Sequence, residues 1–262
     1  MSTHTSVLRR WLAILSTLFI ILALTMIYLL WRDKQSIAPP LINNANASTI
    51  RIERNGFDEI SLTKSDASWS ITMPCKIPAN AQRLEPLLGA LTPGAHHYNA
   101  SEVDLNAAGL VSPHAIVTID EIKHSIGNTD LNGNRRYVQR GNQVAFVPEW
   151  VLSLINGGMS ALAELTIFPG LIEELTLTNE QGTETVVTSP EDLQAWQNLS
   201  AQQIITWPPK DIAVPQPTLH LQAVMAKGID LLYSVYHTER FTALTVNDMH
   251  CAYIVPLDTV PD

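Results

Sequence analysis

The chain is poor in the residues from which sites are usually built. Only two of its 262 residues are cysteines, Cys75 and Cys251, and they stand far apart, so a CxxC redox pair or a cysteine-based zinc ribbon is excluded. The glycine-rich dinucleotide fingerprint, the phosphate-binding loop and the HExxH zinc helix are absent too. Positive charge is scarce: 16 Lys and Arg stand against 25 Asp and Glu, a formal net charge of -9. Phosphate backbones and anionic headgroups need clustered cations, so nucleic acid is excluded as a partner, as is broad adhesion of the folded part to anionic lipid. Charged residues make up 16% of the chain, against about a quarter in ordinary soluble proteins.

Part of that apolar excess lies in one run, WLAILSTLFIILALTMIYLLW, Trp11 to Trp31, which holds no charged residue. A helix rises about 1.5 Å per residue, so about 20 apolar residues cross a bilayer core. Trp11, Tyr28 and Trp31 lie at or near the ends of the run, where ring side chains favour the headgroup region. The run predicts an uncleaved transmembrane helix over residues 11–31, with the lipid bilayer as its partner. A cleaved signal peptide is the rival, but its apolar region is usually about 7–15 residues and ends in small side chains; here the run ends in bulky YLLWRDK. Arg9 and Arg10 before it and Arg32 and Lys34 after it nearly balance. Orientation therefore rests on bulk: a short cytoplasmic tail, residues 1–10, inside, and the C-terminal domain in the periplasm or outside. The expected location is the inner (cytoplasmic) membrane, single-pass.

Residues 32–48, with Pro39-Pro40 and an Asn/Ala/Ser run, suit a linker. Beyond it the period changes to two: Ile50 and Ile52, Ile60 and Leu62, Trp69 and Ile71 alternate with polar residues, as half-buried strands require. Leu84, Leu87, Leu88 and Leu91 then fall at helical spacing behind a possible Asn80 cap, with Pro86 awkward inside. Strands resume at HAIVTIDE and IKHSIGN and close with the hairpin RRYVQRGNQVAFVP. A helix interrupted at Gly157-Gly158 follows. A second series then begins: a hairpin around Glu180-Gln181-Gly182, a helix capped by Ser189, and strands ending in RFTALTVNDMHCAYIVP. The common order, and the shared endings AFVP and YIVP, predict a degenerate internal duplication. The expected fold class is α+β: a single N-terminal transmembrane helix, then two β-rich α+β units with antiparallel sheets over residues 49–169 and 170–262. Convergent strand patterning is the alternative.

Across Trp69 and Pro74, the Pro78-Ala79-Asn80 helix start, Gly109-Leu110, Pro113, Ile126-Gly127 and Tyr137-Val138, the chain resembles a bacterial family of envelope proteins, the domain of unknown function 4340. The match covers about residues 50 to 169. The resemblance implies an anchored or exported β-rich protein, in some cases beside gliding-type transport systems, and brings no catalytic residues. Cys75 is not explained by it.

A search for chemistry finds little. Gly158-Met159-Ser160-Ala161-Leu162 lacks the closing glycine of a nucleophile elbow and lies in a helical run. His96 and His97 are adjacent, so their rings diverge; His220, His237, His250 and Cys251 make a zinc site only if the fold converges them. Glu173-Glu174 point apart on a strand, and Glu191-Asp192 suit a helix start. Cys75 and Cys251 can pair in one way, or stay as two separate buried thiols. No catalytic, cofactor or metal residue is assigned, and no cofactor is expected. The expected role is a membrane-anchored, non-enzymatic protein that scaffolds or binds other envelope proteins, as an accessory of a transport system. The alternatives are a small-ligand sensor or carrier with a pocket between the units, and an envelope hydrolase.

Overall fold

The computed structural model describes residues 19–26, 46–66, 68–92, 97–209, 213–226, 228–246, 250–257 and 259–260. Residues 19–26 are helical (α1) and expose Phe19, Ile20, Ile21 and Leu22. Eight residues rise only about 12 Å, and among the described residues no helix is long and apolar enough to cross a membrane. The expected span over residues 11–31 is corrected accordingly, and with it the single-pass inner-membrane location and the transmembrane part of the fold class. Trp11, Tyr28 and Trp31, and most of the linker over residues 32–48, lie outside the described residues. The class itself also shifts: the molecule is mostly β, 44% strand against 20% helix.

Two antiparallel sheets carry the fold. The first opens with β1 (Thr49–Arg54), β2 (Ile60–Ser65), β3 (Ser68–Met73) and the two-residue β4 (Ile77–Pro78). Their alternate residues Ile50, Ile52, Ile60, Leu62, Trp69 and Ile71 are all buried, so the period of two is spent on one core face. Helix α2 (Ala81–Leu91) follows, with the Asn80 side chain accepting from the Arg83 N–H at 3.2 Å and Leu84, Leu87, Leu88 and Leu91 buried. Pro86 lies inside the helix. Then come β5 (Tyr98–Asn99), β6 (Ala115–Ile119), β7 (Ile122–Thr129), β8 (Arg135–Arg140) and β9 (Gln143–Pro148). The spatial order is β4-β3-β2-β1-β6-β7-β8-β9-β5. Between β6 and β7 the turn uses Asp120 and Glu121, both at positive φ. The Asp120 carboxylate accepts from the Ser48 and Thr49 N–H groups at 3.0 and 2.8 Å, which ties the turn to the start of β1.

Helices α3 (Trp150–Asn156) and α4 (Gly158–Leu162) lead to the second sheet, separated where Gly158 takes φ 67°. That sheet holds β10 (Ile172–Asn179) and β11 (Glu184–Val187), then helix α5 (Pro190–Gln197), β12 (Gln203–Thr206), β13 (Leu219–Met225), β14 (Ile229–His237), β15 (Thr242–Val246) and β16 (Cys251–Val255). Its order is β11-β10-β13-β14-β15-β16-β12.

This order repeats that of β2-β1-β6-β7-β8-β9-β5 strand for strand, and α2 and α5 occupy the same place in the sequence of elements. Matching β9 to β16 on their shared Val-Pro endings sets Ala145 on Tyr253. Carried through the ladders, that match sets Val138 on Leu244, Ile126 on Val235, His124 on Tyr233, Val117 on Leu221, Ile52 on Leu177 and Leu62 on Val187. The segments before β6 and β13 also correspond. Each lies over the outer face of its sheet, one burying Ala108, Leu110 and Val144, the other Ala243, Ala252 and Ile254. Among the described residues the second sheet has no counterpart of β3 and β4.

The inner faces share one core. A single cluster of buried side chains runs from Ile50, Leu62 and Leu87 through Val151 and Leu162 to Phe168, Trp196, Tyr233 and Val255.

Candidate functional site

The four sheet ends differ in what their backbone can still bind. An edge strand presents unpaired N–H and C=O groups, which folds usually cover or interrupt. At β4 the linker from α4 does the covering. Asn80 N–H donates to the Leu162 carbonyl at 2.8 Å, Glu164 N–H donates to the Pro78 carbonyl at 2.9 Å, and Ala201 N–H donates to the Leu165 carbonyl at 2.8 Å. The linker is thus shared between both halves. At β12 the cover is Ser160, whose Oγ donates to the Ile204 carbonyl at 3.1 Å and accepts from the Ile204 N–H at 2.9 Å. Both functions of this hydroxyl are engaged by backbone, which is a latch and not the poise of a nucleophile. At β5 only Tyr98 and Asn99 pair.

β11 is the remaining end. Asn179 N–H donates to the Thr183 carbonyl at 3.1 Å, and bonding directions alternate along a strand. Thr185 and Val187 therefore bond to β10, while Glu184 and Val186 turn their N–H and C=O groups away from the sheet. No strand among the described residues takes them. Val186 stands where Ser61 stands in the first sheet, and Ser61 is paired with Met73 of β3. The side chains of Glu184 and Val186 face outward, and Val186 is 50% exposed.

The stretch of chain that carries this edge is of one sign. No Lys or Arg occurs between Arg140 and Lys210. Glu173, Glu174, Glu180, Glu184, Glu191 and Asp192 are all exposed on the β10–β11 hairpin and the start of α5. Glu191 and Asp192 have a local explanation beside the Ser189 cap, in the first turn of α5.

The seam between the halves is filled. Cys75, just after β3, and Cys251, at the start of β16, form a disulfide with Cα atoms 5.9 Å apart. Both are buried, and Met159 Sδ lies 3.4 Å from Cys75 Sγ and 3.8 Å from Cys251 Sγ. Ile167 and Phe168 are buried nearby in sequence, and Tyr233 Oη donates to the Ile167 carbonyl at 2.6 Å. Burial pushes the Tyr233 phenol up, and the Tyr253 phenol to about 12, so both remain neutral donors.

His124, which sequence patterning did not single out, is the counterpart of Tyr233 and is 2% exposed. Its Nδ1 lies 3.0 Å from the Ile122 carbonyl and 3.2 Å from the Val117 carbonyl. Two acceptors require Nδ1 to carry the proton, which leaves Nε2 as a bare acceptor with no hydrogen-bond partner among the described residues. The ring lines a cavity of about 30 Å³ together with Leu91, His97, Arg140 and Gln143. Burial, aided by the Arg140 charge, pushes the His124 pKa down.

The remaining histidines do not converge. His220 Nδ1 lies 3.1 Å from Ser234 Oγ, and His237 Nδ1 lies 2.9 Å from Thr242 Oγ1. His97 and His250 are exposed, and His96 lies outside the described residues. Among the described residues no group of three or more His, Cys, Asp or Glu side chains could hold a metal ion. An open groove of about 550 Å³ lies between the segment at Pro215 and the β14–β15 turn, bordered by His237, Glu239, Arg240 and Phe241; it is not at the seam. The search against known proteins returned no matching family model, no matching curated protein and no matching solved structure, so the resemblance to the domain of unknown function 4340 is neither supported nor excluded.

Proposed function

We propose that the chain is a non-enzymatic binding protein that holds another protein against its sheets. The observation that supports this most directly is the uneven treatment of the sheet ends: three are covered, latched or very short, and no strand among the described residues takes the outer backbone groups of β11. Polar side chains that could otherwise serve chemistry are committed elsewhere, Ser160 to Ile204 and His237 to Thr242. The packing of Met159 against the buried disulfide at the seam counts against a small-ligand carrier with its pocket between the halves. Photo-crosslinking residues introduced one at a time at exposed positions of both sheets, in the cells that make the protein, test the role. A discrete adduct of defined mass from a contiguous set of positions is expected. Diffuse labelling or none from every position would remove the binding role.

A further inference from the structure

We infer that β11 accepts one extended strand from a basic partner, aligned antiparallel along Glu184 and Val186. This inference rests on the binding role proposed above and adds its place and its chemistry. The first half is a worked example within the same molecule. There the outer edge of β2 is paired along Ser61, Leu62, Thr63 and Lys64 with Met73, Ile71, Ser70 and Trp69 of β3. β3 sends Trp69 and Ile71 into the core, 5% and 0% exposed, and keeps Ser68, Ser70 and Thr72 outside the core. The second half has the same strand order but stops at β11. The counterparts of Ser61 and Leu62 are Val186 and Val187, whereas those of Thr63, Lys64 and Ser65 fall where α5 begins, so the added strand runs along Glu184 and Val186 and not in the β3 register; Val187 is half-buried at the core margin, and the backbone of Val186 faces outward.

Charge then decides what fits. A strand added there sets its outward side chains beside Glu184 and Val186, with Thr178 and Thr176 across the ladder and Glu174 further along β10. Glu173, Glu180, Glu191 and Asp192 flank the same edge, with no Lys or Arg in the surrounding stretch of sequence. Outward lysine or arginine alternating with inward apolar side chains satisfies both faces, since opposite charges on neighbouring strands attract and like charges repel. A second copy of this chain would bring the same acids against themselves. The acids also deter indiscriminate edge pairing, as charged edges do, so they select a partner as well as attract one.

The probe is a fluorescein-labelled peptide based on Ser68–Met73 in which Ser68, Ser70 and Thr72 are replaced by lysine. A matched peptide carries glutamate at those three positions. Anisotropy titrations use the full chain. The lysine peptide is expected to saturate at least tenfold more tightly than the glutamate peptide, and Val186→Pro is expected to weaken it at least tenfold. Because the Val186 N–H points away from β10, proline there removes the edge donor without breaking the internal ladder, and an unchanged melting temperature confirms it. If Val186→Pro fails to fold, the double variant Glu174→Lys, Glu184→Lys takes its place and should reverse the preference between the peptides. Equal binding by the two peptides, lysine-peptide binding that ignores both variants, or no saturable binding overturns this assignment. So does a dimer of the chain alone that Val186→Pro dissolves. Such results leave the wider binding role standing if crosslinks arise elsewhere; the absence of any crosslink removes that role itself.

Discussion

Reducing the Cys75–Cys251 bond should cost this protein a large part of its stability. The bond spans a sequence separation of 176 residues. In the chain-entropy account, closing a loop of that length lowers the free energy of folding by about 5 kcal/mol, acting through the unfolded chain. The folded state should change little, because both sulfurs are packed against Met159 in a core that is continuous across the two halves. The measurement is urea unfolding of the oxidised chain and of the same chain unfolded, reduced and refolded under reductant, followed by the fluorescence of the buried Trp69 and Trp196. These two rings report on the first and second halves respectively. The reduced chain is expected to show a much lower midpoint and a steeper dependence on urea, since its unfolded state exposes more surface. Both rings should report one transition when the bond is intact. Oxidised and reduced chains within about 1 kcal/mol of each other would refute the entropy argument. Two separated transitions in the oxidised chain would refute the claim that the halves share one cooperative core.

His124 predicts a pH dependence with a definite sign. Its folded-state pKa is depressed by burial, so the unfolded chain binds the proton more readily, and stability present above about pH 6.5 should fall as the solution is acidified, by at most about 1.4 kcal/mol per pH unit; His124→Gln should flatten urea midpoints between neutral and mildly acid pH, and an unchanged slope would reject the assignment. Ser160→Ala leaves the Ile204 N–H and carbonyl without their partner and should cost about 1–3 kcal/mol in denaturant melts, whereas its effect on peptide binding at β11 should be negligible. Gly127→Ala drives a methyl into the Ala108 carbonyl, whose oxygen accepts from Asn128 N–H at 2.7 Å; a loss of about 1–3 kcal/mol is expected in thermal or urea unfolding, and a variant as stable as the parent would show that the crossing segment yields easily.

What could be read in advance was what is local and periodic. Ile50, Ile52, Ile60, Leu62, Trp69 and Ile71 announce strands because each strand has one wet and one dry face, and the leucines of α2 announce a helix for the same reason. The endings AFVP and YIVP pointed at β9 and β16, and the ladder partners then align the intervening strands. β4, β5 and β12 escaped notice because two to four residues carry no usable period. His124 escaped because a histidine among alternating residues reads as an outward polar group; only its ladder position, shared with Tyr233, shows that the core takes it. The open edge of β11 was invisible for a related reason: whether a strand has a neighbour depends on residues far away in the chain. The run from Trp11 to Trp31 misled in the opposite way: hydropathy weighs composition alone, and among the described residues no helix is long and apolar enough to cross a membrane.

The joint between the halves is head to tail: the β4 end of the first meets, through the linker, the start of the β12 strand in the second. Contacts of that kind do not close on themselves, and with a matching end on each unit they would add further units in a row. The second half ends its sheet at β11, with no shelf like β4 among the described residues. The joint is therefore one-directional: the first half offers a seat for the linker, and the second offers none among the described residues.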